Sequence, residues 1–385
     1  MNYRKLTAGR IFDGSRFWEE AALVLNAQGE SQGIIPLAEA GESVERYEGI
    51  LCPGLINCHC HVELSYLKGF IPPKTGLIGF LTSIVKNRAG FTGEKEPAIV
   101  AADNEMYESG IDGVGDICNT TDALGMKQKS RMRWHSLVEI INFYDVNMER
   151  QVGWPQTIVH DHEAAGLSAA LVPHAPYSVS GRTMDVINER TEGRVISMHN
   201  QETAPEDELF KSGAGGFIGF YKEFGNAGSP FPVSGKSSLQ TWLPHFTNGQ
   251  TILVVHNTYI GEEDIVFAKE HASRHGLNIV YCLCPNANLY IEDNLPPVDL
   301  FLKHNCTVVL GTDSYSSNWQ LSIAAEMKAL LSRFPQLSPE TILRWATLNG
   351  AQALRWPDLG SFDAGKKSGV VLLSGEDISV VRRLS

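Results

Sequence analysis

Residues 53–61 read Pro-Gly-Leu-Ile-Asn-Cys-His-Cys-His, a short apolar run that ends in two histidines separated by one residue. On a β-strand, residues i and i+2 point to the same face, so His59 and His61 can reach one common point. Neutral imidazole is the commonest metal ligand in proteins. The stretch therefore predicts a strand whose end carries part of a metal site. Two histidines without a metal are the alternative.

The composition is that of an ordinary globular protein: 385 residues, of which 43% are hydrophobic and 20% charged. A formal net charge of −12 argues against binding to nucleic acid or to an anionic membrane, since both need clustered Lys and Arg. No run approaches the roughly 18 apolar residues of a membrane span, and no apolar signal core follows residues 1–6. Seven cysteines do not resemble a disulfide framework. We expect a cytoplasmic protein.

The middle of the chain alternates apolar runs with helical patterns, which is typical of βα units and a parallel sheet. Buried parallel strands read as continuous apolar runs. Eight candidates have this character, at residues 55–61, 113–117, 136–141, 168–174, 194–199, 251–256, 278–283 and 307–311. Eight such strands with their helices predict an α/β fold, a (β/α)₈ TIM barrel.

Both ends of the chain have a different texture, in which short β-like runs alternate with turn residues. Residues 21–25 and 33–37 are such runs near the beginning, and residues 369–373 form one near the end. We therefore predict a small β-sandwich domain built from residues 1–52 and 357–385. Residues 53–356 form the predicted hydrolase barrel.

Polar side chains fall where the predicted strands end, which is the face that carries the active site in a barrel. These residues are His59, His61, His174, His199 with the nearby Glu202, His256 and Asp313. A mononuclear metal site needs three or four nitrogen or oxygen ligands and a water position. The set His59, His61, His199 and Asp313 meets that need. Glu202 and His256 remain as acid/base groups beside it.

These motifs, in this order, resemble the amidohydrolase superfamily, and more closely its deaminase and chlorohydrolase branch. The resemblance rests on residues 53–61, on Pro-His-Ala-Pro-Tyr at 173–177, on His-Asn-Gln-Glu-Thr at 199–203, on His256, on residues 284–288, on Gly-Thr-Asp at 311–313 and on residues 360–367. Two departures stand out. Gly369 occupies a position where the family usually has Asp, and the segment after His199 is long.

The resemblance implies one divalent metal ion, because two-metal members use a carboxylated lysine near the fourth strand, where this chain has His174. Zn²⁺ is favoured and Fe²⁺ is open, since both accept imidazoles and a carboxylate. In such sites the metal lowers the pKa of its bound water, often to about 7. Asp313 would take the proton, Glu202 would protonate a ring nitrogen of the substrate, and His256 would hold the nucleophilic oxygen. His174 would contact the substrate.

The implied reaction is removal of an exocyclic amino group from a nitrogen heterocycle, with a purine nucleoside such as aminodeoxyfutalosine or another adenine derivative as substrate. Glu63 either contacts that substrate or caps the next segment. Aromatic residues in the segment 203–245 predict a folded lid: Phe217, Phe220, Tyr221, Phe224 and Phe231. Barrels of this type often form homodimers, although the sequence identifies no interface.

Two other readings of the same chemistry stay open. Hydrolytic dechlorination, or hydrolysis of another cyclic amidine or amide, would use the same metal-bound water. A metal-binding scaffold without turnover is the alternative from a different class. Glu202 favours deamination, because protonating a ring nitrogen requires an acid. The intact acid/base pair of Glu202 and Asp313 beside the metal set argues against the scaffold.

Three further patterns could indicate other binding sites. Cys58 and Cys60, with a second Cys-x-Cys at 282–284, resemble a thiolate metal site, but alternation places the first pair on the strand face away from the histidines. A second His-x-His at 160–162 falls in a helical or loop region, and we expect a solvated surface there. The glycines at 213–219 are not a dinucleotide fingerprint, because no strand leads into them and no helix obviously follows.

Overall fold

Seven short strands begin the chain in the computed structural model, which describes residues 3–385. They are β1 (Arg4–Thr7), β2 (Arg10–Phe12), β3 (Phe17–Trp18), β4 (Ala21–Leu25), β5 (Ser31–Pro36), β6 (Glu45–Arg46) and β7 (Ile50–Pro53). One sheet has the order β5-β4-β1-β6. A second sheet places two C-terminal strands beside β7, β2 and β3. Both ends of the chain therefore share one sheet.

Both sheets contribute to one buried apolar cluster, formed by Leu6, Ile11, Ala21, Leu23, Leu25, Leu51, Phe362, Val370 and Leu372. Alternation along the short strands turns these side chains to a common interior. The intervening residues of β7 and of the first C-terminal strand join the large buried cluster of the rest of the chain: Ile50, Cys52, Val371 and Leu373. The terminal segments thus bury apolar surface among themselves as well as against the rest of the chain.

Eight strands in two parallel sheets form the centre of the described chain. They are β8 (Leu55–Cys60), β9 (Ile111–Cys118), β10 (Arg133–Ile140), β11 (Ser168–Pro173), β12 (Val195–Asn200), β13 (Thr251–His256), β14 (Asn278–Leu283) and β15 (Val308–Leu310). The sheet orders are β8-β9-β10-β11 and β12-β13-β14-β15. The α/β class and the parallel strands are confirmed, and each predicted strand is present.

Backbone contacts join the two central sheets at the C-terminal ends of their strands. The His199 amide donates to the His174 carbonyl oxygen at 3.0 Å, which links the ends of β11 and β12. The Asp313 amide donates to the His59 carbonyl oxygen at 3.0 Å, and Cys60 forms a parallel bridge with Asp313. The first and last of the eight central strands, β8 and β15, are therefore joined through the segment that follows β15. The C-terminal ends of the central strands surround one region.

Helices connect the central strands. Those of the described residues are α1 (Gly76–Gly90), α2 (Glu96–Glu108), α3 (Leu124–Lys129), α4 (Met148–Ala164), α5 (Gly181–Arg190), α6 (Ala204–Ser212), α7 (Gly216–Glu223), α8 (Ser238–Trp242), α9 (Glu262–His275), α10 (Pro285–Ile291), α11 (Val298–Lys303), α12 (Ile323–Arg333), α13 (Pro339–Ala346) and α14 (Leu348–Ala353). Short 3₁₀ helices lie at Leu37–Glu39, Val62–Leu67 and Leu243–His245. The last strands are β16 (Val370–Leu373) and β17 (Val380–Arg383). Among the described residues, no helix is both long and apolar enough to cross a membrane.

The helix α12 illustrates how local sequence sets these elements. The Ser322 side chain accepts a hydrogen bond from the Ala325 amide and so caps the first turn. Ile323, Met327 and Leu330 follow at helical spacing and are buried. The apolar spacing at 321–333 predicts this helix, and the structure places it there.

The segment after β12 is largely helical, which corrects the expectation that no helix follows its glycines. The helix α6 ends at Gly213, whose φ of +69° is the left-handed conformation common at helix ends. The helix α7 begins three residues later and buries Phe217 and Tyr221, which lie four residues apart on one face. Two glycines that read as loop residues therefore separate two packed helices.

Gly369 packs directly against a buried carboxylate on β9. The Gly369 amide donates to Asp112 Oδ2 at 2.6 Å, and Asp112 also pairs with Arg383 on β17. A Cβ atom at position 369 would lie only 2.6 Å from Asp112 Oδ1. The absence of the family's usual Asp thus has a steric reason, because Asp112 already supplies a carboxylate at this junction.

Candidate active site

The ends of the central strands bring four histidines and one aspartate to a single cavity of about 490 Å³, and the fully buried His59 lies directly behind them. The imidazole centroid of His199 lies 4.9 Å from those of His59 and His174, and 5.5 Å from that of His256. His61 and Asp313 also line this cavity. Period-two alternation on β8 explains why His59 and His61 point together.

Three donor atoms converge at the end of β8. His59 Nε2 lies 3.2 Å from His61 Nε2, and Asp313 Oδ1 lies 3.6 Å and 3.2 Å from these two nitrogens. Four ligands arranged tetrahedrally at about 2.0–2.1 Å from an ion would be separated by roughly 3.3–3.5 Å. The residues present therefore fit a divalent metal ion. Burial lowers the pKa of His61 to about 3 and lowers that of His59, which keeps both rings neutral and able to ligate.

His199 offers a further ring nitrogen near this group, and its ring centroid lies 4.9 Å from that of His59. His199 Nδ1 lies 2.7 Å from the His174 carbonyl oxygen. A carbonyl oxygen can only accept, so Nδ1 carries the ring hydrogen. The lone pair is therefore on Nε2, as a metal ligand requires. Ligand atoms of His59, His199 and His256 also lie within 4.8 Å of one another.

Asp313 adopts a backbone conformation that few residues other than glycine tolerate, with φ of +58°. Its Oδ2 accepts a hydrogen bond from Ser317 Oγ at 2.5 Å, which leaves Oδ1 directed at the histidines. Burial alone would raise the pKa of Asp313, but the facing His59 and His61 rings hold it well below its usual range. The carboxylate is therefore ionised.

His256 also has a left-handed backbone, with φ of +70°, at the end of β13. Asn288 orients its ring: Asn288 Nδ2 donates to Thr258 Oγ1 at 2.7 Å, so the amide oxygen faces His256 Nδ1 at 2.9 Å. The hydrogen then lies on Nδ1, and Nε2 faces the site with a free lone pair. Residues held in such rare conformations cluster at functional sites.

Glu202 follows β12 and is buried beside His256, with its Oε1 3.6 Å from His256 Nε2. The backbone amides of Gln201 and Glu202 donate to the two oxygens of Glu206, at 2.8 Å and 3.3 Å, which fixes this turn. Burial, together with the negative charges of Asp313 and Glu292, raises the pKa of Glu202 well above its usual value. The carboxyl is therefore harder to ionise than an exposed glutamic acid, as a proton donor requires.

His174 lines the cavity, as expected of a substrate contact, and its Nδ1 lies 2.6 Å from Ser178 Oγ. Glu63 does not line it. One Glu63 oxygen pairs with Arg88 at 3.3 Å. The other accepts hydrogen bonds from the backbone amides of Asn119 and Thr120, at 3.1 Å and 3.2 Å. The 3₁₀ turn after His61 carries Glu63 towards the end of β9, where it supports the neighbouring backbone, and a contact between Glu63 and substrate stays a prediction.

Several residues of the site were not predicted. Asn288 and Ser317 orient His256 and Asp313, and Arg88, Asn119 and Glu139 line the cavity. Burial raises the pKa of Glu139 to about 7. A lone charged residue near the end of the apolar run at 136–141 is the signal that could have pointed to Glu139.

Apolar side chains from α1 and α7 form the outer wall of the cavity: Leu77, Phe80, Leu81 and Ile84 from the first, and Phe220 and Tyr221 from the second, with Phe224 next to it. The Tyr221 hydroxyl donates to the Tyr177 carbonyl oxygen at 2.7 Å, which ties α7 to the end of β11. Of the five aromatic residues expected in a lid, Phe220, Tyr221 and Phe224 reach the cavity. Phe217 and Phe231 pack behind them.

The two competing metal patterns do not form sites in the described residues. Cys58, Cys60 and Cys284 are buried thiols whose pKa is raised well above the ordinary value by burial. No cysteine belongs to a cluster of metal-ligating atoms within residues 3–385. His160 is exposed, but His162 is fully buried with its Nδ1 2.9 Å from the Ile158 carbonyl oxygen, so the expectation of a solvated surface is wrong for His162.

A parallel αβ core with a histidine and aspartate cluster at its C-terminal ends defines a metal-dependent hydrolase. The sequence model of the amidohydrolase family matches residues 50–380, and the chain belongs to this family. The 5-methylthioadenosine/S-adenosylhomocysteine deaminase of Teredinibacter turnerae is 26% identical over 354 residues, which cover 86% of this chain and 73% of the relative.

Two solved structures share the fold. That of Helicobacter pylori aminofutalosine deaminase in complex with methylthio-coformycin has a TM-score of 0.82 at 22% identity, covering 99% of this chain and 98% of that one. That of an adenosine deaminase from Xanthomonas campestris with bound zinc has a TM-score of 0.73 at 21% identity, covering 97% and 84%. The expected family and class of hydrolase are thus confirmed.

Proposed function

We propose that this chain is a metal-dependent deaminase of a purine nucleoside. The observation that carries the proposal is geometric: one cavity holds the converging ligand atoms of His61 and Asp313 and, beside His256, the buried carboxyl of Glu202, whose pKa is raised while that of Asp313 is lowered. Two carboxyl groups whose environments separate their pKa values are the arrangement expected of an acid and a base. Similarity to a 5-methylthioadenosine/S-adenosylhomocysteine deaminase and to an aminofutalosine deaminase supports this reaction.

We propose further that the eight central strands close into a (β/α)₈ barrel, spanning residues 53–356. The hydrogen bonds between β11 and β12, and between β8 and the segment after β15, support closure. The two terminal sheets, which share a buried cluster, would form the β-sandwich domain of residues 1–52 and 357–385. A barrel of this kind presents its site at the strand C-termini.

One Zn²⁺ ion is the proposed cofactor, with His59, His61, His199 and Asp313 as ligands. The convergent donor atoms and the neutral imidazoles support this set. When bound, such an ion supplies Lewis-acid activation of water. Ser317 and the His174 carbonyl oxygen orient two of the ligands.

The remaining steps belong to side chains of this chain. Glu202 donates its proton to the ring nitrogen next to the amino-bearing carbon, and the Asp313 carboxylate accepts a proton from the attacking water. His256 accepts a hydrogen bond from that water at Nε2, because Asn288 holds the hydrogen on Nδ1. The carbon–oxygen bond forms, and Asp313 passes its proton to the amino nitrogen, which leaves as ammonia when the carbon–nitrogen bond breaks. The proton from Glu202 stays on the ring nitrogen of the product, and the hydroxyl proton released as the carbonyl forms restores Glu202.

We propose a nucleoside rather than a free base as the substrate, because an apolar wall extends the cavity beyond the histidine cluster. The cavity volume of about 490 Å³ lies in the usual range for small-molecule sites. His174 would contact the ring, and the apolar wall from α1 and α7 would cover a substituent of low polarity. The expected homodimer and the cytoplasmic location stay predictions.

The test is ammonia release from a panel of adenosine, 5′-deoxyadenosine, 5′-methylthioadenosine, S-adenosylhomocysteine and cytosine, with a chloro-triazine and a cyclic amide as rival substrates. We expect ammonia from at least one adenine nucleoside and none from cytosine. Release of chloride from the chloro-triazine, or ring opening of the cyclic amide, without ammonia from any nucleoside would contradict the deaminase proposal. Glu202→Gln and Asp313→Asn variants that match wild type in every assay would instead support a metal-binding scaffold.

A further inference from the structure

Glu326 on α12 is a fully buried carboxyl that does not line the active-site cavity and takes part in no step of the reaction above. Both of its oxygens accept hydrogen bonds. Oε1 accepts from Asn318 Nδ2 at 2.9 Å, and Oε2 accepts from the backbone amide of Asn286 at 2.8 Å. An apolar side chain of similar volume would serve packing better, because burying a carboxyl costs free energy. What distinguishes Glu326 is therefore the pair of segments that its oxygens hold.

The first of these segments leads into Asp313. The Asn318 NH₂ group has two hydrogens, and it donates to the Thr312 carbonyl oxygen at 2.8 Å as well as to Glu326. On the other side of the same peptide bond, the Asp313 amide donates to the His59 carbonyl oxygen at 3.0 Å. The peptide group before Asp313 is thus fixed at both ends. These bonds maintain the left-handed φ of +58° at Asp313, a conformation that persists only where its surroundings hold it.

The second segment is the beginning of α10. Asn286 is the second residue of this helix, so its amide has no acceptor inside the helix, and Glu326 supplies one. Asn288 follows two residues later and orients His256, with its amide oxygen 2.9 Å from Nδ1 of that ring. Because Asn286 and Asn288 lie in the same helical turn, a bond that fixes the first also fixes the second.

We propose that Glu326 is a positioning residue that keeps Asp313 and His256 correctly placed relative to each other. This inference rests on the proposed function, which assigns the roles of these two residues. Asp313 accepts the proton of the attacking water, and His256 accepts a hydrogen bond from the same water. One carboxyl holds the segments that carry both groups, although it touches neither of them.

Glu326→Gln is the most informative substitution, because it keeps the shape of the side chain and turns one acceptor into a donor. The backbone amide of Asn286 cannot turn away, so the new amide oxygen takes that bond and the new NH₂ group faces Asn318. Two donors then oppose each other. Asn318 rotates away and releases the Thr312 carbonyl oxygen, so the backbone at Asp313 is affected first.

The experiment compares wild type with Glu326→Gln, Asn318→Ala and the double variant. Zn²⁺ affinity is measured by chelator competition, and kcat and KM are measured at saturating Zn²⁺ with the best nucleoside of the panel. Each single variant should bind Zn²⁺ about 10-fold more weakly, the lower end of the effect of removing a residue that supports a metal ligand. The kcat should fall by a similar factor with little change in KM. The double variant should be no worse than the more affected single variant, because both changes break the same connection.

Asp103→Asn is the matched control. Asp103 is a buried carboxyl on α2 that accepts a hydrogen bond from Ser130 Oγ at 2.5 Å and does not line the cavity. The control should lower the free energy of unfolding, as the loss of a buried hydrogen bond does, while Zn²⁺ affinity and kcat stay at their wild-type values.

Wild-type Zn²⁺ affinity and kcat in Glu326→Gln, whatever its stability, would overturn the positioning role. Losses that multiply in the double variant would overturn the connection through Asn318. If Glu326→Gln does not fold, Asn318→Ala with wild-type Zn²⁺ affinity overturns the proposal equally. If wild type deaminates no nucleoside, the proposed function fails, while the Zn²⁺ affinities still test what Glu326 does for Asp313.

Discussion

Asn288 sets the tautomer of His256, and its removal tests whether that orientation matters for turnover. Its amide oxygen lies 2.9 Å from His256 Nδ1, and its amide nitrogen donates to Thr258 Oγ1 at 2.7 Å. Asn288→Ala leaves a buried ring N–H without an acceptor, at a cost of about 1–3 kcal/mol. That penalty either loosens the ring or moves the hydrogen to Nε2, where it cannot accept from water.

The expected loss in kcat is roughly 10- to 100-fold, since each 1.4 kcal/mol corresponds to a factor of ten. The metal content should stay at one ion per chain, because His256 is outside the proposed ligand set. Ammonia release, elemental analysis and thermal unfolding of the variant measure these three quantities. Asn104→Ala, at an exposed position on α2, is the control and should behave like wild type. A fully active Asn288→Ala enzyme would refute the orienting role.

Three other changes have equally definite outcomes. Ser317→Ala removes the hydroxyl that donates to Asp313 Oδ2, and chelator competition should show metal affinity about 10- to 100-fold weaker. Burial raises the pKa of Glu206 from 4.5 to about 8, so this carboxyl is neutral when folded and ionised when unfolded between those values. The unfolding free energy should therefore fall by about 1.4 kcal/mol per pH unit in that window, and denaturant titrations of Glu206→Gln should lack this part of the slope. Phe220→Ala opens the apolar wall, and its KM should rise more for 5′-methylthioadenosine than for adenosine.

The central strands were predictable because a strand that is buried on both faces appears in the sequence as a continuous apolar run. Residues 251–256 and 278–283 match β13 and β14 to the residue. The start of β10 was placed three residues late, at 136, because Arg133, Trp134 and His135 interrupt the apolar pattern. That the side chains of His59 and His61 point in the same direction follows from the two-residue alternation of a β-strand alone.

Side chains that support the site were harder to predict, because their roles depend on contacts distant in sequence. Glu139 resembles any polar residue near a strand end until Asn119 and Arg88 are placed beside it. The spacing of His160 and His162 shows only that they point in different directions on a helix. It does not show which of them faces the core, and burial of His162 depends on how α4 packs on β10 and β11.

Metal titration of the apo-enzyme tests the central claim most directly. The enzyme is stripped with a chelator, and ammonia release from the best nucleoside of the panel is measured against equivalents of added Zn²⁺. The proposed site predicts negligible activity without metal, a linear rise, and a plateau at one ion per chain. Full activity in the stripped enzyme, or a plateau only at two ions, would contradict a mononuclear metal-dependent deaminase.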